Sequence, residues 1–254
     1  MNGLSWSDGQ TPLLRWDDAP DGVEVAFTSR VGGVSEGAFS SLNLGALTDD
    51  QPASVAENRR RAVAGLGGDP ARATMAWQVH GAQVREVGEV PSSGRFLQPG
   101  LEPFPKSDGL VTSQPERPLV LLTADCLPVA VAREDGGRVA IMHAGWRGLE
   151  AGIVEAGVDA VGGEVRGAVG PGAGPCCYQV GPDVAERLAA RFGPDVIQGD
   201  HADLWLCARR ALEARGVTLI AEAHECTICT PDRYFSHRRD NGVTGRQGVV
   251  ARRA

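Results

Sequence analysis

The stretch PLVLLTADCLPVAVAREDGGRVAIMHAGWRG, residues 118–148, contains three short apolar runs. The runs Leu119–Thr123, Val129–Ala132 and Val139–Met142 have the length and the apolar content of buried strands. The turn sequence Glu134-Asp-Gly-Gly137 separates the second run from the third and favours a hairpin. The sequence therefore predicts that these three strands form the strongest part of the hydrophobic core.

Outward from this core, predicted strands and helices mix irregularly. The further predicted strands are Val23–Thr28, Met75–Val79, Gln83–Val87, Val165–Val169, Val217–Ala221 and Gly248–Ala251. The predicted helices are Pro52–Leu66, Leu149–Val161, Pro182–Phe192 and Asp203–Arg215, with Asp203 able to cap the last of them. Residues 88–106 are rich in Pro, Gly and Ser and predict a long loop. This mixture indicates an α+β, or mixed α/β, fold.

The length and composition favour one large globular domain. The chain has 254 residues, of which 42% are hydrophobic and 22% charged, as in ordinary globular proteins. Because no stretch is a convincing interdomain linker, we expect residues 1–254 to form a single domain, with residues 1–20 at its periphery. Six cysteines are too sparse for a disulfide scaffold.

The charge balance excludes one class of partner. Lys and Arg number 25 and Asp and Glu 32, so the net charge is −7, whereas a general nucleic-acid binder needs a basic face.

The longest apolar run, residues 118–124, is far shorter than the roughly 20 residues that span a bilayer. The opening MNGLSWSDGQ lacks the basic and apolar regions of a secretory signal. We therefore expect a cytoplasmic protein that binds neither nucleic acid nor membranes.

Three residues with metal-ligating side chains each follow a predicted strand. They are His80 in Gln78-Val-His-Gly81, Cys126 in the turn TADC, and His143 at the start of HAGWRG. Two imidazoles and a thiolate suit zinc, and three protein ligands leave a fourth position open, as in catalytic zinc sites. The alternative is that Cys126 is an ordinary buried cysteine and that the two histidines are unrelated to it. The sequence does not decide between them, because ligands so far apart in sequence have no diagnostic spacing.

The same residues permit a second chemistry. Cys126 and His143 can act as nucleophile and base, with Asp125 or a carbonyl orienting the imidazole. Zinc would occupy the thiolate, so the metal site and the nucleophile compete as interpretations of one cluster.

The remaining cysteines indicate no site by spacing alone. Cys226-Thr-Ile-Cys229 is a single C-x-x-C pair, and a closed zinc site needs another pair or nearby histidines; His224 is the sole neighbour. Cys176 and Cys177 are adjacent and would form only a strained disulfide with each other. We therefore expect the five cysteines other than Cys126 to be free, buried thiols.

A glycine-rich segment and several arginines are candidates for anion binding. Gly170-Pro-Gly-Ala-Gly-Pro175 follows a predicted strand, but it matches neither phosphate-binding fingerprint, and a tight turn that lines the site is an equal alternative. Arg30, Arg147, Arg238 and Arg239 lie near the same motifs, and an arginine fork suits phosphate or carboxylate.

Taken together, these motifs resemble the YfiH-like family, also called the polyphenol oxidase or laccase-domain family and purine nucleoside phosphorylase. The combination of TADC with HAGWRG is highly specific, and the matching segments occur in order from about residue 28 to the C-terminus. They are Thr28–Ser35, Leu42–Leu44, Asn58–Arg59, Gln78–Gly81, Asp108–Thr112, Thr123–Pro128, His143–Gly148, Gly170–Pro171, Cys177–Tyr178, Cys226–Cys229 and Phe235–Arg239.

The resemblance implies a single domain with a four-layer α/β/β/α arrangement and a metal, usually zinc, on His80, Cys126 and His143. It implies phosphorolysis of adenosine, inosine and 5′-methylthioadenosine, and deamination of adenosine. Arg239 and Arg30 fall on arginines of the family motifs. The chain departs from the family pattern at Ala173, where a larger aliphatic residue is usual, and at Gln179, where glutamate is usual.

The laccase label fits the composition poorly. A multicopper oxidase needs about ten histidines for its separate copper centres, because each centre requires its own ligands. The chain has five histidines. Copper on the zinc ligands, with weak polyphenol oxidase activity, stays open as an alternative, as do a Cys126 hydrolase acting on peptidoglycan precursors and a module that binds zinc or nucleoside without catalysis.

The residues and the resemblance together predict a mechanism. Arg30, Arg239 and Arg147 are expected to hold phosphate against C1′ of the ribose, where its negative charge stabilises an oxocarbenium-like transition state. Asp125 or a water on the metal is the expected proton donor to the departing purine. A water activated by zinc would alternatively attack purine C6 and release ammonia.

We expect the chain to act as a monomer or weak homodimer.

Overall fold

The computed structural model describes residues 3–88, 95–99 and 104–254. Its strands, in chain order, are β1 Leu4–Trp6, β2 Leu13–Trp16, β3 Val23–Thr28, β4 Thr74–Met75, β5 Val84–Glu86, β6 Gly109–Thr112, β7 Leu119–Thr123, β8 Leu127–Arg133, β9 Val139–Ala144, β10 Val165–Val169, β11 Ile197–Gln198, β12 His201–Ala202, β13 Ile220–Glu222 and β14 Gln247–Arg253. Its α-helices are α1 Pro52–Gly65, α2 Trp146–Ala151, α3 Ile153–Val161, α4 Pro182–Phe192 and α5 Leu204–Glu213.

The first sheet has the strand order β1-β2-β3-β14-β7-β4. Its neighbours are antiparallel, except that β4 runs parallel to β7. The strand β14 lies in the middle of this sheet, because Val249 pairs with Phe27 of β3 on one side and with Leu121 of β7 on the other. The last strand therefore joins two halves of the sheet that are far apart in sequence.

The second sheet has the strand order β13-β10-β8-β9-β6-β5. Its four central strands are antiparallel, and parallel strands are added at each edge, β13 beside β10 and β5 beside β6. Because β7 belongs to the first sheet and β8 to the second, the turn at residues 124–126 crosses from one sheet to the other.

The two sheets pack face to face, and helices cover both outer faces. Fully buried side chains of both sheets, among them Phe27, Leu121 and Ile141, meet in the layer between them. Helix α1 packs on the outer face of the first sheet, and α2 to α5 cover the outer face of the second. The fold is thus mixed α/β, as the sequence predicts, with the four layers that the family resemblance implies.

Most predicted elements are present, with four differences. The three runs of the central stretch are strands β7, β8 and β9. The predicted helix Leu149–Val161 instead begins at Trp146 and is broken at Gly152, whose left-handed φ of 90° ends α2 and starts α3. The predicted strand Met75–Val79 is reduced to β4, and the predicted strand Val217–Ala221 begins only at Ile220. Strand β6 was not predicted, because Gly109 opens it and it is only four residues long.

Two further predicted regions are the N-terminal residues and the long loop at residues 88–106. Residues 4–6, expected at the periphery, form the edge strand β1, and residues 13–16 form its neighbour β2, where Leu14 is fully buried. The predicted loop at residues 88–106 lies partly outside the described residues; residues 95–97 within it form a 3-10 turn. Among the described residues, every helix is too short or too polar to cross a membrane.

Candidate metal and substrate site

The turn that carries Cys126 is fixed from three sides. Asp125 has a left-handed φ of 91°, and its carbonyl oxygen accepts a hydrogen bond from the amide of Ala173 at 2.7 Å. One oxygen of its buried carboxylate accepts from the Thr227 hydroxyl at 2.7 Å, and the other accepts from the amide of Arg238 at 2.7 Å. The carboxylate of Asp125 therefore ties the TADC turn to the loop of residues 223–246, with each of its two oxygens accepting one hydrogen bond.

His143 lies near the end of β9 and is oriented by Asp108. The two residues face each other because β9 pairs with β6, which Asp108 precedes. The Nδ1 atom of His143 lies 2.9 Å from Oδ1 of Asp108, and both side chains are buried. A carboxylate on Nδ1 leaves Nε2 as the ring nitrogen available to a metal or to a thiol, which is the usual arrangement of metal-ligating histidines.

The same carboxylate holds the loop of His80. The amides of Val79, His80 and Gly81 donate to the two oxygens of Asp108 over 2.8–3.1 Å. His80 has a positive φ of 61°, which these bonds stabilise. Asp108 therefore orients His143 through its ring and places His80 through its backbone.

The ligating atoms of His80, Cys126 and His143 converge. All three lie within 4.8 Å of one another, and the two imidazole rings meet edge to face with centroids 4.8 Å apart. Gly145 keeps this space open, because a Cβ at that position would lie 2.7 Å from Sγ of Cys126. The donor set and its spacing fit one zinc ion with an open fourth position.

The charges in the cluster favour a thiolate. Burial opposes ionisation of Cys126, but His143 and His80 outweigh it and lower the pKa of the thiol to about 6. Burial also opposes protonation of His143, yet Cys126 and Asp108 raise the pKa of its imidazole to about 9. A thiolate is the form of cysteine that binds metals and attacks electrophiles, so both chemistries predicted for this cluster are accessible.

The cluster opens into a cavity of about 690 Å³. Its apolar lining includes Met75, Trp77, Phe104, Leu122 and Leu204, and its cationic lining consists of Arg59, Arg95, Arg238 and Arg246. Tyr178 and His237 also reach it. Apolar surface with a few convergent charged groups is typical of small-molecule sites, and the volume is in the usual range.

The three arginines predicted as phosphate ligands lie outside this lining. Arg30 donates to the carbonyl oxygens of Ser40 and Pro231 and stacks on Phe235. Arg239 pairs with Asp240 and donates to the carbonyl oxygens of Thr227 and Tyr234. These contacts connect neighbouring loops, and neither guanidinium group lines the cavity.

Arg147 and two other arginines behave differently. Arg147 stacks on Trp146, and its charge acts on the phenol of Tyr178, so it lies near the cavity without lining it. Arg246 does line the cavity: its Nη1 donates to the carbonyl oxygens of Thr244 and Gly245, and within the described residues its Nε and Nη2 donate to none. Arg238 lines the cavity too, with Nη1 on the Gln179 carbonyl oxygen.

Sequence reasoning missed Asp108, Arg246 and His237. Asp108 belongs to a quoted family segment, but its role depends on strand pairing between β6 and β9, which the sequence does not reveal. His237 and Arg246 lie outside the strand-end pattern by which the metal ligands were found. The sequence feature that could have indicated them is a pair of polar, arginine-containing segments between buried stretches, Ser236–Arg239 and Gly245–Gln247.

The glycine-rich segment is a tight turn and not an anion cradle. The amides of Gly170, Gly172 and Ala173 donate to carbonyl oxygens of Pro128, Glu225 and Asp125. The amide of Gly174 points at Sγ of Cys226 at 3.3 Å. Because these donors already have protein partners, the segment serves to pack the TADC turn, where Gly172 leaves no room for a side chain.

The fold and the site define a four-layer mixed α/β protein of the laccase-domain class, with a histidine–cysteine–histidine cluster in its cavity. The family model described as multi-copper polyphenol oxidoreductase laccase matches residues 24–253. The chain belongs to this family, which is also the YfiH-like family of its structural neighbours.

Relatives agree over nearly the whole length. A purine nucleoside phosphorylase of Pseudomonas aeruginosa is 39% identical over 241 residues, which are 90% of this chain and 92% of that protein. The crystal structure of YfiH from Bacillus licheniformis superposes with a TM-score of 0.91 at 28% identity and covers 100% of both chains. That of YlmD from Geobacillus stearothermophilus has a TM-score of 0.88 at 32% identity and covers 98% of both.

Proposed function

We propose that this chain is a zinc-dependent purine nucleoside phosphorylase with a secondary adenosine deaminase activity. One observation carries the proposal: the three converging ligands His80, Cys126 and His143 open into a cavity that combines apolar walls with cationic groups. The names of the relatives support the same class of reaction. The substrates would be adenosine, inosine or 5′-methylthioadenosine with phosphate, and the products the free base and ribose 1-phosphate.

His80, Cys126 and His143 would hold the zinc ion. When bound, zinc supplies Lewis acidity at an open coordination position, which lowers the pKa of a ligand there. Asp108 fixes the ring orientation of His143, and Asp125 fixes the turn of Cys126, so both act as positioning residues. Copper can occupy the same three ligands, because imidazole and thiolate also suit copper.

Arg246 and Arg238 would hold the phosphate, in place of the arginines expected from the sequence. Both line the cavity, and both carry donors without a protein partner among the described residues. An arginine fork matches the geometry of phosphate oxygens, and a fixed phosphate stabilises the positive charge that develops on the ribose. Arg147, near Tyr178, can add to the positive potential at the rim.

The apolar wall would bind the purine. Trp77 and Phe104 offer aromatic surface in the cavity, and aromatic rings stack well on a planar base. The departing purine needs a proton, and we assign this step to His237, whose imidazole lines the cavity. We prefer His237 to Asp125 because both carboxylate oxygens of Asp125 already accept hydrogen bonds, one from Thr227 and one from Arg238.

Product analysis with and without phosphate tests the proposal. Zinc-loaded protein is incubated with adenosine, and the products are separated by chromatography. Adenine with ribose 1-phosphate, formed only with phosphate and lost in Cys126→Ala, is the expected result. Inosine formed without phosphate identifies the deaminase. Turnover that persists in the metal-free Cys126→Ala variant, or no purine turnover by the zinc-loaded protein, overturns the proposal.

A second candidate function has its own supporting observation. Cys126, His143 and Asp108 form the relay of a cysteine hydrolase, with a thiol of lowered pKa, a neighbouring imidazole and a carboxylate on Nδ1. Peptidoglycan precursors are the substrates to test. Hydrolysis that survives chelation but ends on alkylation of Cys126 would support this function, whereas loss on chelation and recovery with zinc supports the phosphorylase.

A further inference from the structure

Four cysteines on two loops come together outside the site described above. Cys176 and Cys177 lie in the loop after β10, and Cys226 and Cys229 lie in the loop after β13. Because β10 and β13 are parallel neighbours, both loops leave the second sheet at the same edge. The pairing of these strands, with Gly167 beside Ile220, therefore brings together a C-C pair and a C-x-x-C pair that are about fifty residues apart in sequence.

The four sulfur atoms have the spacing of ligands to one ion. All lie within 4.8 Å of one another, with Sγ of Cys229 at 3.3 Å from that of Cys176 and at 3.0 Å from that of Cys177. Around a tetrahedral zinc ion with Zn–S bonds of about 2.3 Å, sulfur atoms lie about 3.8 Å apart. The two distances to Cys229 are shorter than this value by less than about 1 Å, and all the others lie below 4.8 Å, so the four sulfur atoms are near the spacing that one zinc ion requires.

The backbone holds the two loops in register. The amide of Thr227 donates to the carbonyl oxygen of Gly172 at 2.9 Å, next to Cys226. The amide of Gly174 points at Sγ of Cys226 at 3.3 Å, and an N–H group aimed at sulfur stabilises a thiolate. The main-chain bond between Thr227 and Gly172 thus holds the two loops together independently of the cysteine side chains, and the bond from Gly174 places the sulfur atom of Cys226.

We propose that Cys176, Cys177, Cys226 and Cys229 form a second, structural metal site that binds one zinc ion through four thiolates. Four soft ligands with no open position are the ligand set of closed structural zinc sites, unlike the three ligands of the first cluster. The expectation of free thiols agrees with the structure, which has no disulfide among the described residues, but the expectation of burial is wrong for Cys176 and Cys229, which are exposed. The proposal goes beyond that expectation because strand pairing brings a second cysteine pair to the C-x-x-C pair.

The site would stabilise one wall of the cavity. Tyr178, which lines the cavity, follows Cys177 directly, and Thr227, which bonds to Asp125, follows Cys226 directly. An ion bound by all four cysteines would clamp these two loops together, so its removal should lower the melting temperature and loosen the wall without touching the three ligands of the first site.

Metal counting on purified protein tests the proposal. We expect about two zinc ions in the wild-type chain, about one in Cys126→Ala, and about one in Cys176→Ser/Cys229→Ser. Cys207→Ala is the matched control, because Cys207 is buried in α5 away from both clusters, and it should keep both ions. A wild-type chain with one ion that Cys126→Ala loses completely would overturn the proposal.

A second measurement uses the wild-type protein alone and does not depend on the folding of a variant. Cys176 and Cys229 are exposed and should alkylate readily as free thiols. Trypsin places Cys176 and Cys177 on residues 167–187, Cys226 and Cys229 on residues 216–233, and Cys126 on residues 107–133. We expect zinc to protect the first two peptides from N-ethylmaleimide and a chelator to remove that protection.

Cobalt distinguishes metal binding from oxidation. Cobalt-loaded Cys126→Ala should show the intense thiolate-to-metal absorption of a four-sulfur tetrahedral site, and the triple variant Cys126→Ala/Cys176→Ser/Cys229→Ser should lack it. Equal alkylation with and without zinc would overturn the proposal. A disulfide between Cys177 and Cys229 in protein that was purified under reducing conditions with zinc would also overturn it. Both results are independent of whether the first site performs phosphorolysis.

Discussion

At the scale of single residues, Asp108 has the largest number of roles in the site. It is fully buried, it faces Nδ1 of His143, and it accepts from three backbone amides of the His80 loop. A carboxamide in its place keeps the size but loses the charge and one acceptor. The orientation of two of the three metal ligands therefore depends on a side chain that is not itself a ligand.

The substitution Asp108→Asn should lower zinc affinity, and with it the rate of phosphorolysis, by about 10- to 100-fold, which is usual for partners of metal ligands. Zinc competition with a chromogenic chelator and kcat/KM for adenosine measure the two effects. Asp8→Asn, at an exposed carboxylate, is the control and should change neither. Unchanged zinc affinity in Asp108→Asn would contradict the assigned role.

Cys126 should show its lowered pKa directly in the metal-free protein. Because the pKa is about 6 and not that of a free thiol, the thiolate is present at neutral pH and is lost as the pH falls through about 6. The rate of alkylation by iodoacetamide, followed on the peptide of residues 107–133, should therefore reach half its plateau near pH 6, and zinc should suppress it. A midpoint near pH 9 would contradict the influence of His143 and His80.

Arg246 is the clearest candidate for a phosphate ligand. Burial lowers the pKa of its guanidinium, and the negative charges of Asp125 and Cys126 oppose that shift. Arg246→Ala should raise KM for phosphate roughly 10- to 100-fold, the value of one or two charged hydrogen bonds. Arg246→Lys should recover part of the loss, and the exposed Arg85→Ala should have no effect. An unaltered KM for phosphate in Arg246→Ala would remove it from the site.

Residue by residue, the sequence predicted the metal cluster better than its surroundings. His80, Cys126 and His143 follow predicted strands and lie in recognisable motifs, so the sequence could indicate that they converge at the ends of strands. The sequence did not indicate which arginines line the cavity. The position of an arginine along the chain does not show whether its guanidinium faces a cavity or, as in Arg239, donates to carbonyl oxygens of nearby loops. Whether the residues named here act in catalysis stays a prediction.

At the scale of elements, the break between α2 and α3 links the site to the helical layer. Helix α2 begins two residues after the end of β9, and Gly152 then turns the chain with a φ of 90° so that α3 packs against the second sheet. A helical period runs through both pieces, so the sequence predicts one helix. The break follows from backbone conformation, which only glycine adopts without strain.

Gly152→Ala should therefore lower the free energy of unfolding by about 1–2 kcal/mol, the cost of a left-handed conformation for an L-residue. Space is not the cause, because the added Cβ would meet nothing closer than Nη2 of Arg191 at 3.4 Å. Urea denaturation measures the change. Gly88→Ala, where nothing lies within 4 Å and φ is not left-handed, is the matched control and should be neutral or stabilising.

Elements with a strong apolar pattern were predicted well, and elements held by their neighbours were not. The strands β7 and β10 and the helix α4 have the predicted bounds, and Asp203 caps α5 by accepting from the amide of Leu206. By contrast, β6 and β4 are short and exist because longer strands pair with them. Such strands have too little periodicity to be recognised alone.

At the scale of the whole molecule, the two halves of the first sheet depend on one strand. The buried β14 pairs on both sides, with β3 and with β7, whereas β1 pairs on one side at the edge of the same sheet. Removal of residues 247–254 should therefore abolish cooperative unfolding, as seen in a thermal melt followed by near-UV circular dichroism. Removal of residues 1–8, which takes only an edge strand, should leave a cooperative transition at lower temperature. A cooperative transition in the first variant would contradict this role of β14.

The central position of β14 also sets an order of events during synthesis. Phe27 and its partner Val249 are separated by almost the whole chain, so the first sheet cannot close until residue 253 has left the ribosome. Until then, β3 and β7 each present an unpaired edge with apolar side chains, the kind of surface to which chaperones bind and through which chains aggregate. We therefore expect the nascent chain to need protection until β14 has left the ribosome and has paired with β3 and β7.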